Sequence, residues 1–141
     1  MTYEALVDMA RTDPGVLGLI LTGSRGQDMF VTDESDWDVR LVVRDEVADV
    51  YRSRFATPHG SRVEVVVLSL SQFERTGEPG TKTAWDRPSY IHARVVVDTS
   101  GGRVSELAER KRSLSAEYER SVAAERLDDY VNSYFRSAKN H

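Results

Sequence analysis

The order of apolar and polar positions along the chain predicts an alternation of helices and strands. Leu6, Met9 and Ala10 recur at helical spacing before Asp13-Pro14-Gly15 interrupts the pattern, which predicts a first helix. Val16 to Leu21 is an unbroken apolar run between turn formers, the signature of a strand covered on both faces. Trp37, Val39, Leu41 and Val43 then alternate with Asp36, Asp38, Arg40 and Val42, the period of a second strand. Asp45 is placed to cap a helix through Val47, Val50 and Tyr51 that stops before Thr57-Pro58-His59-Gly60. Val63 to Leu68 predicts a third strand, Gln72 and Phe73 a short helical turn, and Ala93 to Asp98 a fourth strand.

From Arg103 onward the chain has neither Gly nor Pro, so the tail is expected to be helical, with room for a break near 116–123. The expectation is an α/β (α+β) fold: a mixed sheet of about four to five strands flanked by helices, with a C-terminal helical arm. The change in composition divides it into a body, 1–102, and a helical segment, 103–141. On the arm, Leu127, Val131, Tyr134 and Ala138 form an apolar stripe, broadened by Tyr130 and Phe135. Core packing is the ordinary reading of such a stripe, and a partner chain is the alternative.

Composition narrows the chemistry. The 141 residues suit one compact domain, and 40% hydrophobic residues supply a core. The formal charge of −4 gives no general attraction to nucleic acid or to an anionic membrane. The absence of cysteine excludes disulfides, thiolate catalysis and zinc–thiolate sites. No apolar stretch has the length of a signal peptide or a membrane span, so a cytoplasmic protein is expected. His59, His92 and His141 lack metal-ligand spacing; Trp85 to Tyr90 could line a base or acceptor pocket, with loop packing as the ordinary reading.

Three features carry candidate chemistry. Asp36 and Asp38 point to one face of their strand while Trp37 and Val39 occupy the other. Adjacent carboxylates repel, and a divalent cation with hard oxygen ligands is the natural partner, magnesium above all. Arg40 lies next on that face, able to pair with an acid in solvent or to reach a phosphate. Gly23-Ser24-Arg25-Gly26 follows the buried strand, and consecutive amides in such a turn can cradle a phosphate. An ordinary turn at a strand end is the bland reading. Glu64 sits within the apolar run Val63 to Leu68, where a central strand would bury it and an edge strand would leave it in water.

The combination Leu21-Thr22-Gly23-Ser24, eleven residues from Arg25 to Ser35, Asp36-Trp37-Asp38-Val39, and later Val63-Glu64-Val65 resembles the nucleotidyltransferase superfamily typified by DNA polymerase β. Within it the chain looks most like small bacterial aminoglycoside or lincosamide nucleotidyltransferases and minimal nucleotidyltransferase antitoxins. The likeness covers about the first hundred residues, and 127–139 looks like the opening helix of the helical domain that follows in such enzymes. It implies that Gly23 and Ser24 hold the triphosphate. It also implies that Asp36, Asp38 and Glu64 bind two Mg2+ or Mn2+ ions, with Glu64 helping to deprotonate an acceptor hydroxyl. From the residues themselves, Arg25 and Arg40 offer donors to phosphate oxygens. Arg136 and Lys139 could reach the triphosphate across a cleft, a solvated basic edge being their ordinary reading.

ATP or another nucleoside triphosphate would be the co-substrate, and a small molecule or a protein the acceptor. The family's third acid is often Asp, so Glu64 places its carboxylate differently, as base more than ligand. The helical domain of drug-modifying relatives is longer than 103–141, which leaves open a second subunit, a longer chain, or a protein that does not catalyse. The alternative function is an antitoxin-type interaction protein whose terminal helix docks a helical toxin or a second copy of itself. A glycosyltransferase using Asp-x-Asp is disfavoured by the short chain.

Overall fold

In the computed structural model, residues 2–22, 37–56, 62–82 and 89–139 are described; beyond Glu117, the side chains described are those of Arg120, Ala124, Leu127 and Val131. The elements are α1 (Tyr3–Thr12), β1 (Val16–Thr22), β2 (Trp37–Val43), a 3-10 turn (Asp45–Val47), α2 (Ala48–Arg54), β3 (Val63–Ser69), α3 (Leu70–Arg75), β4 (Arg94–Asp98) and α4 (Arg103–Lys139). The four strands make one mixed sheet in the order β3-β2-β1-β4. β1 runs antiparallel to β2 and β4, whereas β2 and β3 are parallel and joined by the crossover that contains α2.

Two apolar layers sandwich the sheet. On one side Leu19, Leu21, Val39, Leu41, Val43 and Val67 pack with Leu6, Val7 and Ala10 of α1 and with Ala48 and Tyr51 of α2. On the other, Ile20 and Val42 pack with Phe73 of α3, with Tyr90, and with Val104, Leu107 and Ala108 of α4. β1 is buried along its whole length, as a strand covered on both faces should be. At Gly18 the helix α4 comes so close that an added Cβ would lie 2.7 Å from Val104 Cγ1, so the missing side chain permits the packing.

Local chemistry fixes the element ends. Thr2 caps α1 through a 3.1 Å bond from the Ala5 amide. Ser69 and Gln72 form a reciprocal capping box at α3. Asp98 closes β4 and caps α4: it accepts from the Ser100 and Ser105 amides at 2.8 and 3.0 Å and from both hydroxyls. Burial alone would raise the Asp98 pKa, but these bonds outweigh it and hold the carboxyl at about 2.

Several expectations change. Asp45 does not cap its own helix; its carboxylate accepts from the Ser71 amide at 3.0 Å and so ties the second connection to α3. The Ser71 hydroxyl donates to it as well, and that bond, with the amide's, lowers the Asp45 pKa. No break occurs near 116–123, because a segment rich in Ala, Glu, Arg and Leu without Gly or Pro has no reason to stop. α4 is therefore one helix of 37 residues, about 55 Å long against about 23 Å for a seven-residue strand, so its second half outruns the sheet. There Leu127 is 63% and Val131 39% exposed. This part of the stripe is not core, contrary to its ordinary reading. None of the described helices is long and apolar enough to cross a membrane.

Candidate functional site

Register decides which side chains meet. Asp38 of β2 is paired with Thr22 of β1 on one side and with Glu64 of β3 on the other. Paired positions on neighbouring strands project to the same face, with backbones about 4.8 Å apart, so Thr22, Asp38 and Glu64 form one polar row across three strands. The next row on that face is Ile20, Arg40 and Val66, and the third is Gly18, Val42 and Leu68. Since Ile20 and Val42 belong to the layer under α3 and α4, the polar row faces that layer too.

β3 is an edge strand, as one reading of Glu64 required, yet Glu64 is only half-exposed. Asp38 and Arg40 are half-buried as well, and Val66 beside Arg40 is 43% exposed. The polar end of this face is thus open to solvent, whereas the opposite end is sealed by Val104 against Gly18. The openness suits a site that must admit a ligand.

The backbone around Asp38 is held on three sides. The buried Thr22 hydroxyl donates to the Asp38 carbonyl at 3.2 Å. The Trp37 amide donates to the Arg62 carbonyl at 2.8 Å. Behind the sheet, the Trp37 ring stacks on Tyr3 of α1, with centroids 3.8 Å apart and planes within 9°. Neither Thr22 nor Tyr3 was singled out from the sequence. Thr22 had a visible signal, being the last position of β1 on the acidic face; Tyr3 had none, since only packing brings α1 behind Trp37.

Of the sequence-derived candidates, the structure brings together Asp38, Glu64 and Arg40 on one face of adjacent strands. Gly23, Ser24, Arg25 and Asp36 lie outside the described residues; in sequence they follow Thr22 or precede Trp37. Lys139 ends α4, and its side chain is also outside the description. Among the described residues no cluster of three or more His, Asp or Glu side chains could hold a metal. Asp38 and Glu64 nonetheless supply two hard carboxylates to one surface, the donor set suited to magnesium when phosphates and water complete its shell.

A second charged group emerges beneath the same layer. Val104, Leu107, Ala108, Lys111 and Ser115 make the inward stripe of α4, and Lys111 is fully buried. Among the described residues its Nζ has no hydrogen-bond partner, and it lies 4.8 Å above the ring of Phe73. Burial lowers its pKa to about 8, with Glu78 opposing the fall. The charges that act on it include Glu78, Arg110, Arg103 and Glu74. Lys111 therefore belongs to the α3–α4 packing.

No known protein-family profile matches the sequence, and no curated protein matches it. Among solved structures, the chain is similar to a mutant of the MntA–HpeT toxin–antitoxin, with 13% identity, 93% of this chain and 99% of that chain covered, and a TM-score of 0.44. It is similar to a toxin–antitoxin crystallised with AMP-PNP, at 15% identity, 93% and 99% coverage and the same TM-score of 0.44. Another mutant of the MntA–HpeT pair shows 16% identity over 93% and 98% of the two chains, again at a TM-score of 0.44.

Proposed function

We propose that the chain is a divalent-metal-dependent nucleotidyltransferase that moves a nucleoside monophosphate from a nucleoside triphosphate to a hydroxyl, on a small molecule or on a protein. The observation that carries this reading is the register pairing of Asp38 with Glu64, on one face, at the end of the sheet where β1 leads into Gly23-Ser24. Two acids so placed present hard carboxylate oxygens to one surface, the donors a divalent cation takes.

In this reading Asp36, Asp38 and Glu64 offer carboxylate oxygens to Mg2+ or Mn2+. The bound ions would lower the pKa of the attacking hydroxyl and offset charge on the leaving pyrophosphate. The Gly23 amide and the Ser24 hydroxyl donate to phosphate oxygens, while Arg25, Arg40 and Lys139 add positive charge toward the triphosphate. The acceptor oxygen bonds to the α-phosphorus, the bond from that phosphorus to the bridging oxygen breaks, and pyrophosphate leaves. Glu64 takes the acceptor's proton. Such chemistry asks the protein mainly to position and neutralise, which side chains on paired strands do well.

The experiment is pyrophosphate release from each nucleoside triphosphate with Mg2+ and a panel of hydroxylated acceptors, proteins included. Activity in the wild-type chain that disappears in Asp38→Asn supports the reading; equal activity in that variant contradicts it. A second reading, a protein that docks a helical partner, is favoured by the exposed Leu127 and Val131 on the part of α4 that outruns the sheet. The two are compatible, since the docked partner can itself present the acceptor hydroxyl.

A further inference from the structure

We infer that Tyr3 is a positioning residue for the acidic site: its stack on Trp37 holds the start of β2, and with it Asp38, in the geometry that binds a divalent cation beside Glu64. The inference rests on the site proposed above and adds a residue to it from the opposite face of the sheet.

β1 starts at the end of the sheet remote from the acids, after the Asp13-Pro14-Gly15 turn. α1 precedes that turn and spans ten residues, about 15 Å, so it runs back beneath the sheet and delivers its N-terminal Tyr3 to the acidic end. There Tyr3 meets Trp37 nearly face to face. Arg94, at the start of β4 on the same end, is close enough to Tyr3 to act on it electrostatically.

Successive strand residues point to opposite faces, so a side chain fixed on the back face fixes the direction of the next residue on the front. Trp37 directly precedes Asp38. Its amide is tied sideways to Arg62, and the carbonyl of Asp38 is tied to Thr22 from the other side. These bonds hold the backbone from the two flanking strands. The flat stack adds a hold on the Trp37 side chain from behind the sheet. The ring, not the hydroxyl, makes this contact, so Phe should serve in place of Tyr.

The chain has two tryptophans, Trp37 and Trp85, so a Trp85→Phe background leaves Trp37 as the sole indole. Paramagnetic Mn2+, titrated alone, should quench Trp37 emission saturably, and the half-saturating concentration reports affinity whatever the amplitude. Tyr3→Ala and Tyr3→Leu should each raise that concentration about threefold to tenfold, the scale of one lost aromatic pair. Tyr3→Phe should restore it. Tyr3→Leu keeps the apolar contact and decides the question should Tyr3→Ala fail to fold. Unchanged Mn2+ affinity in a folded Tyr3→Leu variant overturns the positioning role and leaves the site untouched. No saturable quenching in the Trp85→Phe parent overturns the site and the inference together.

Discussion

Replacing Lys111 by Met removes a charged group from the α3–α4 interface while keeping an unbranched apolar stem. Lys111 is fully buried, its Nζ has no hydrogen-bond partner among the described residues, and its pKa falls from the ordinary 10.5 to about 8 because burial disfavours the charged form. At about 1.4 kcal/mol per pH unit, that fall corresponds to an energetic cost on the order of 3 kcal/mol when the amine is protonated. Loss of the attraction to the Phe73 ring returns about 0.5–2 kcal/mol of it. Lys111→Met is therefore predicted to be more stable than wild type at neutral pH by about 1–3 kcal/mol.

The pH dependence has a definite sign. Between about pH 8 and pH 10.5 the unfolded chain binds a proton at Lys111 that the folded chain does not, so wild-type stability rises with pH across that window. Below it the whole cost is present; above it the cost is gone. The assay is urea unfolding of both proteins at about pH 7 and again at about pH 10.5, where taking the difference cancels every other titration. The gap should close at the higher pH. A destabilised variant at neutral pH, or a gap that does not move with pH, refutes the reasoning.

Gly18→Ala puts a Cβ 2.7 Å from Val104 Cγ1 and 3.1 Å from the Val97 carbonyl oxygen, and should cost about 1–3 kcal/mol through displacement of α4, read as a lower thermal midpoint. An unchanged midpoint would mean that α4 does not sit against β1 as described. Asp98→Asn weakens the cap of α4 and, because the wild-type carboxyl titrates near 2, removes stability that is present above about pH 4 and lost as the pH falls through about 2. The variant should lie about 1–2 kcal/mol below wild type at pH 7 and converge with it in acid, a comparison that equilibrium unfolding at both pH values makes directly.

Much of this fold was legible in the chain because its strands obey simple periods. The apolar run at Val16 to Leu21 announced a strand covered on both sides, and the alternation from Trp37 to Val43 announced which residues share a face. What period cannot supply is neighbourhood. That β3 lies beside β2, parallel to it and in a register that sets Glu64 against Asp38, depends on the length and direction of the crossover through α2. That β3 forms an edge was equally out of reach, since an edge strand with an apolar run reads like a central one.

Packing across elements was the other blind spot. Lys111 falls on the Val104–Ala108–Ser115 stripe of α4, so its inward position could have been read from spacing. Its proximity to Phe73 could not. The same holds for Tyr3 behind Trp37, where two aromatics thirty-four positions apart meet only because α1 doubles back. The stripe at Leu127 and Val131 was seen correctly as apolar, but whether a stripe is covered depends on what lies opposite, and α4 has already passed the end of the sheet.

The most direct test of the account is the energetic coupling between Asp38 and Glu64 in metal binding. Mn2+ affinity is measured by calorimetry for wild type, Asp38→Asn, Glu64→Gln and the double variant. Two oxygens on one ion predict that each single change removes most of the affinity and the second removes little more, a non-additivity of about 1–3 kcal/mol. Strictly additive losses, or binding that neither change affects, would mean that the paired acids on β2 and β3 do not share a cation.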